Sequence, residues 1–377
     1  MRIALLTQQL TETAFSHGYA ALSKSLWDLG FKDQHILYIK NEHSKNIRFP
    51  PGVKIYKSTI ERILLSPIWL ARYLKESKPD VIISMPVFVN IAAIIGRLLS
   101  GENQSKLIIS ERAILSYYVN VDQSLNIRYK ILPIIIKHLY PKADGLVVNN
   151  FLVLKDLERN FQLPINDLPR KVIYPAIDIE TIKKLKVVQP DKEICELFNK
   201  PVVISVGRLA KEKNFPLLLK AFKIVRKSID ARLLIFGDGP ERDNLEKFIN
   251  QLGLDEVYLL GYVDNPWSIM KKSDLFVLPS QKEAFGRVLV EAMVCELPII
   301  ATDAIGGGPK IILQDGECGS LIEKNNEVAL AEEITLLLND RMLREKYINR
   351  GRIRFEDFEP SSVAQDWISL IKDIDNN

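Results

Sequence analysis

The chain has 377 residues, 47% hydrophobic and 26% charged, a length beyond one ordinary hydrophobic core and a composition that excludes extended disorder, so two globular domains are expected. Its three cysteines (Cys195, Cys295, Cys318) form no CxxC pair and its four histidines (His17, His35, His43, His138) are scattered, which excludes a disulfide framework and a zinc-type cluster. The formal net charge is only +4, without basic–aromatic interleaving, and nucleic acid is not an expected partner.

At the start, only four consecutive apolar residues, 3–6, precede Thr7. That is too short for a secretory apolar segment and suits a first buried strand, so a cytoplasmic protein is expected. The most membrane-like window, 81–99, is interrupted by Ser84, Pro86, Asn90 and Arg97, and reads as a buried strand followed by a buried helix. Further strands are expected at 2–6, 35–39, 80–84, 106–110, 145–148 and 171–174, with helices near 18–29, 59–77, 88–99, 125–140 and 151–161. A polar, weakly patterned stretch, 178–200, interrupts the alternation. It then resumes with strands at 202–206, 232–236, 257–260, 275–278, 298–301 and 319–322. Helices are expected near 215–229, 240–252, 265–272, 286–296, 309–313, 326–339 and 341–353. From Glu359, a capping signal opens a last helix with an apolar stripe of Val363, Trp367, Leu370, Ile371 and Ile374. The expected class is α/β: two Rossmann-like doubly wound domains, 1–180 and 181–358, facing a central cleft, with 359–377 crossing back to the first domain.

Residues 1–180 hold 23 Lys and Arg against 16 Asp and Glu, while the remainder holds 28 against 31. A basic N-terminal half attracts anionic partners, or is merely a solvated surface. Segments 57–77 and 125–140 are basic and apolar together. They read either as a peripheral membrane face or as helices buried against the N-terminal sheet.

Most of the chemistry-bearing signal lies between Gly207 and Gly319. The run Gly207-Arg208-Leu209-Ala210-Lys211-Glu212-Lys213-Asn214 follows a strand and leads into a helix. Gly207 lets backbone pass close to a ligand, and Arg208 with Lys213 beside a helix start suits a diphosphate, or is a pair of ordinary loop cations. Phe236-Gly237-Asp238-Gly239-Pro240 is a tight βα turn but not GxGxxG, so no nicotinamide or flavin cofactor is implied. Asp238 reads as a helix cap. In Pro279-Ser280-Gln281-Lys282-Glu283-Ala284-Phe285-Gly286-Arg287-Val288-Leu289-Val290-Glu291, one carboxylate sits on a loop and a second on the helix that opens near Gly286. Carboxylates for sugar hydroxyls and helix N-terminal amides for phosphate then converge. A solvated surface helix is the plain alternative, but the apolar neighbours of Glu291 threaten burial, which costs unless a partner is present. Gly306-Gly307-Gly308-Pro309 is a further Gly-rich strand-to-helix turn.

Together these motifs resemble the retaining glycosyltransferases of the GT-B fold, the glycosyl transferases group 1 family (family 4), through Glu283-x7-Glu291 with Gly-Arg-Leu upstream. The resemblance implies that Arg208 and Lys213 neutralise a donor diphosphate, that Glu283 faces the transferred sugar and that Glu291 holds the ribose hydroxyls. It places Phe285, Gly286 and Arg287 at sugar and phosphate, Val288 and Leu289 along the phosphate–ribose pocket, and Tyr262 and Val263 beside the base. Departures concentrate in the first half, where only Ser16-His17-Gly18 offers a glycine after the first strand. There Gly18 and, on the acceptor side, His17, Glu111 and Arg112 are the candidates. The implied reaction moves a hexose-type sugar from a nucleotide-diphosphate sugar, UDP favoured over GDP. The implied acceptor is a hydroxyl of a glycan or lipid-linked intermediate, with retention and without metal or other cofactor. A nucleotide-sugar epimerase of the same fold and a non-catalytic donor-binding subunit are the rivals.

Overall fold

The computed structural model describes residues 1–375 apart from 12–13, 41, 45–46, 103, 123–125 and 165–167. The chain divides into two compact units, one of residues 1–177 with 358–377 and the other of residues 178–357.

Unit 1 carries β1 (Ile3–Thr7), β2 (Gln34–Tyr38), β3 (Lys54–Lys57), β4 (Val81–Ser84), β5 (Lys106–Glu111), β6 (Gly145–Val148) and β7 (Arg170–Val172). All pair in parallel in the order β3-β2-β1-β4-β5-β6-β7. The strands are short apolar runs because helices cover both faces. Leu107, Ile109, Leu146 and Val148 face one side with helices Ser66–Ser77, Val87–Ser100 and Leu132–Leu139. Ile108 and Val147 face the other, with Tyr19, Leu22 and Leu26 of helix Ala14–Asp28 and with Trp367 and Ile371 of the last helix, Pro360–Asp375.

Unit 2 carries β8 (Val202–Val206), β9 (Arg232–Phe236), β10 (Val257–Gly261), β11 (Leu275–Leu278), β12 (Ile299–Thr302) and β13 (Ser320–Ile322), parallel in the order β10-β9-β8-β11-β12-β13. The order reverses direction beside β1 and again beside β8, and in such sheets ligands bind at the carboxyl ends of the strands at that reversal.

Every strand expected from the sequence is present within two residues; β3 is additional. It is an edge strand of four residues, Lys-Ile-Tyr-Lys, three of them exposed, so it lacks the apolar signature of the inner strands. Helix 59–77 begins only at Ser66, where Pro67 occupies its first turn. The expected helix 125–140 is two pieces, Ile127–Lys130 and Leu132–Leu139, with residue 125 outside the described set. The 178–200 stretch holds a helix, Ile179–Leu185, capped by the Asp178 side chain. No helix among the described residues is long and apolar enough to cross a membrane.

Candidate functional site

Three loops leave the carboxyl ends of β8, β11 and β12, and backbone hydrogen bonds stitch them together. The Glu212 carbonyl accepts from the Gln281 amide at 2.8 Å, the Ile305 amide donates to Gln281 at 2.8 Å, and the Glu283 amide donates to Ile305 at 2.8 Å. Gly308 then donates to the Glu283 carbonyl at 2.9 Å. The glycines make this approach possible, since a Cβ on Gly306 would lie 2.9 Å from the Glu283 carbonyl and one on Gly308 would fall on the backbone of Phe285.

The stitching brings Lys213 and Glu283 together. Lys213 ends a short 3₁₀ turn, Lys211–Lys213, and its ammonium forms an ion pair with the Glu283 carboxylate; both side chains are mostly buried. Arg208 is exposed and makes no ion pair among the described residues. Gly207 has open space: a Cβ there would meet nothing nearer than Lys213 at 3.8 Å. The steric demand falls on Gly237 instead, at φ +133°, where an added Cβ would collide with the Gly207 carbonyl.

Gly286, at φ 90° and ψ 53°, caps the helix Arg287–Val294. Glu291 on that helix is mostly buried, as its apolar neighbours suggested, and it has two partners. One carboxylate oxygen accepts from Arg287 Nε at 2.9 Å, one turn earlier, and the other from the indole Nε1 of Trp267 at 3.1 Å. Trp267 escaped the sequence reading because it lies on another helix, Pro266–Met270, whose only local signal is the Asn265-Pro266 start. The Val288 amide has no acceptor among the described residues, whereas the Leu289 amide is given to Gly286 at 2.8 Å. Phe285, in the turn expected to meet sugar and phosphate, and Leu289, expected along the phosphate–ribose pocket, both have buried side chains. Val288 and Val263 are half-buried, and Tyr262 is 69% exposed after β10.

In unit 1 the Ser16-His17-Gly18 segment is helical. Gly18 and the half-buried His17 lie within Ala14–Asp28, and a Cβ on Gly18 would meet only the Ala176 carbonyl, at 4.0 Å. Glu111, an acceptor-side candidate, points into the interior of unit 1. Its carboxylate is buried, accepting from Asn90 Nδ2 at 2.6 Å and from the Tyr140 hydroxyl, and burial pushes its pKa up to about 7. Arg112 is buried on the opposite side, donating from Nη1 to the Ile173 carbonyl at 3.0 Å, with Nε unpartnered among the described residues. Burial lowers its pKa to about 10. Among the described residues no group of three or more His, Cys, Asp or Glu could hold a metal ion.

Residues 191–354, which contain all three stitched loops, match the family described as glycosyl transferases group 1. Over 333 residues, 86% of each chain, the sequence is 33% identical to the N-acetylgalactosamine-N,N'-diacetylbacillosaminyl-diphospho-undecaprenol 4-alpha-N-acetylgalactosaminyltransferase of Campylobacter jejuni. The chain belongs to the glycosyl transferases group 1 family. A second relative, the capsular polysaccharide biosynthesis glycosyltransferase CapM of Staphylococcus aureus, is 34% identical over 45% of each chain. Among solved structures, Anabaena Alr3699/HepE in complex with UDP superposes with a TM-score of 0.79 at 19% identity, covering 99% of this glycosyltransferase and all of that chain. Its fold, GT-B, is therefore shared.

Proposed function

We propose that this glycosyltransferase moves a hexose-type sugar from a UDP-sugar to a hydroxyl of a glycan or lipid-linked acceptor at the cytoplasmic face of a membrane, with retention and without a metal. The observation that carries the proposal is the Lys213–Glu283 ion pair on loops locked together by backbone, which sets a cation against a carboxylate at the carboxyl ends of β8 and β11. The HepE complex supports UDP as the nucleotide, and the name of the Campylobacter relative supports a diphosphate-lipid acceptor.

In this reading the donor diphosphate lies against Lys213, Arg208 and the Val288 amide, with Gly207 and Gly286 permitting close backbone approach. Glu283 accepts from hydroxyls of the transferred sugar. The anomeric C–O bond to the diphosphate breaks while the acceptor oxygen bonds the anomeric carbon on the same face. The acceptor proton passes to the departing phosphate oxygen. Negative charge grows on that oxygen, and the two cations stabilise it in the place a metal ion takes elsewhere. Glu283 forms no covalent glycosyl adduct. On the acceptor side Arg112 and His17 remain the candidates, since the Glu111 carboxylate is taken up by Asn90 and Tyr140.

Thermal unfolding with added nucleotides tests the donor: UDP at a hundred times its dissociation constant adds about 2.7 kcal/mol of stability. Lys213→Ala lowers kcat/KM by about 30- to 1,000-fold, the scale of losing one preorganised charge donor, and chelator leaves the wild-type rate unchanged. Stabilisation by GDP but not UDP, or a product of inverted anomeric configuration, contradicts the proposal.

The membrane contact rests on the outer surface of unit 1. Leu132 and Ile136 face the core, but Ile127, Ile131 and Ile134 are exposed beside Arg128, Lys130 and Lys137. Leu64, Leu65 and Ile68 are exposed beside Arg62. Exposed apolar side chains among cations suit the interface of an anionic bilayer.

A further inference from the structure

The proposed donor site contains one residue that would not touch the donor and yet would set how it is gripped. Glu291 is the carboxylate assigned to the ribose hydroxyls, and each of its oxygens is already engaged once, by Arg287 Nε at 2.9 Å and by Trp267 Nε1 at 3.1 Å. An ionised carboxylate offers about four acceptor positions, so about two remain for a ribose diol. Arg287 is on the same helix as Glu291, four residues earlier, and shares its movements. Trp267 is on a separate helix. That helix is capped by Asn265, whose side-chain amide donates to the Leu185 carbonyl at 2.9 Å, while the Trp267 carbonyl accepts from the thiol of Cys295, the residue that ends the Glu291 helix, at 3.6 Å. The indole N–H is a donor only and is held in one direction by a half-buried ring. It therefore pins the carboxylate plane from outside the helix.

We propose that Trp267 is a positioning residue for nucleotide recognition: its indole N–H orients Glu291 so that the remaining lone pairs meet the ribose hydroxyls, and it thereby sets the preference for a ribonucleotide over a 2′-deoxyribonucleotide. The proposal rests on the assignment of Glu291 to the ribose. A preorganised acceptor loses less freedom on binding, so loosening it weakens the contact that depends on it and leaves others alone.

The experiment measures binding of UDP and 2′-deoxy-UDP by calorimetry to the wild-type chain, Trp267→Phe and Glu291→Ala. Wild type binds UDP more tightly than 2′-deoxy-UDP. Trp267→Phe keeps an aromatic ring without the N–H; it weakens UDP about tenfold, leaves 2′-deoxy-UDP within about twofold, and so collapses the ratio, the loss amounting to about 1.4 kcal/mol. A structural role alone would weaken both ligands equally. A ratio unchanged in Trp267→Phe but collapsed in Glu291→Ala overturns the role of Trp267 and leaves the site intact. A ratio unchanged in Glu291→Ala, or no UDP binding by wild type, overturns the donor reading itself. If Trp267→Phe does not fold, benzothienylalanine at 267, which replaces the N–H with sulfur, gives the same two-ligand comparison.

Discussion

Glu111 ends β5 and Arg112 follows it, and their side chains turn to opposite sides, as successive side chains along extended chain do. The carboxylate turns to Asn90 and Tyr140, the guanidinium to Ile173. Sequence reasoning treated them as one pair of acceptor-side candidates, and period two separates them. Their burial has a consequence for pH. Desolvation raises Glu111 from 4.5 to about 7 in the folded chain, so between those values the unfolded chain binds fewer protons and stability falls as pH rises. Glu111→Gln removes that loss. Denaturant unfolding is expected to show the variant and wild type nearly equal at pH 4.5 and the variant more stable by about 2–3 kcal/mol at pH 8. A variant less stable than wild type at both pH values would mean that the carboxylate is stabilised as an anion by its two donors.

Between elements, the turns were legible as Gly-rich, but not which glycine carried the load. Gly207 drew attention because it follows a strand, yet a side chain fits there, whereas Gly308 has the backbone of Phe285 where a Cβ would go. Gly308→Ala is expected to cost on the order of 3 kcal/mol in unfolding free energy and to shift the Glu283 loop. Gly207→Ala is expected to stay within about 1 kcal/mol, its effect appearing in UDP affinity instead. Equal denaturant midpoints for the two variants would show that the loops can part without loss. The partner of Glu291 belongs to the same scale. An apolar sequence around a glutamate announces that a partner is needed; which element supplies it depends on how the helix Pro266–Met270 packs against Arg287–Val294.

Across the whole molecule, the chain leaves unit 1 at residue 177, builds unit 2 and returns at 358, where the Ile177 amide donates to the Phe358 carbonyl at 3.1 Å. The last helix completes the core of unit 1 through Val363, Trp367 and Ile371, and Lys171 pairs with Asp366 at 2.9 Å. The basic excess of the N-terminal half and its exposed isoleucines give the membrane proposal its test. Co-sedimentation with vesicles rich in anionic lipid is expected to fall several-fold on neutralising Arg128, Lys130 and Lys137 together, and to weaken as salt is raised. Negligible binding by the wild-type chain at low salt would remove the membrane contact.

By itself the sequence determined the alternation of strand and helix, the two sheets it builds and the family motif, because periodicity, turn glycines and the Glu283–Glu291 spacing are local and survive without coordinates. The tertiary structure decided the pairings: Lys213 with Glu283, Trp267 with Glu291, and Gly308 with Phe285. Each joins residues far apart in the chain, and only packing determines which distant groups share a hydrogen bond or exclude a side chain.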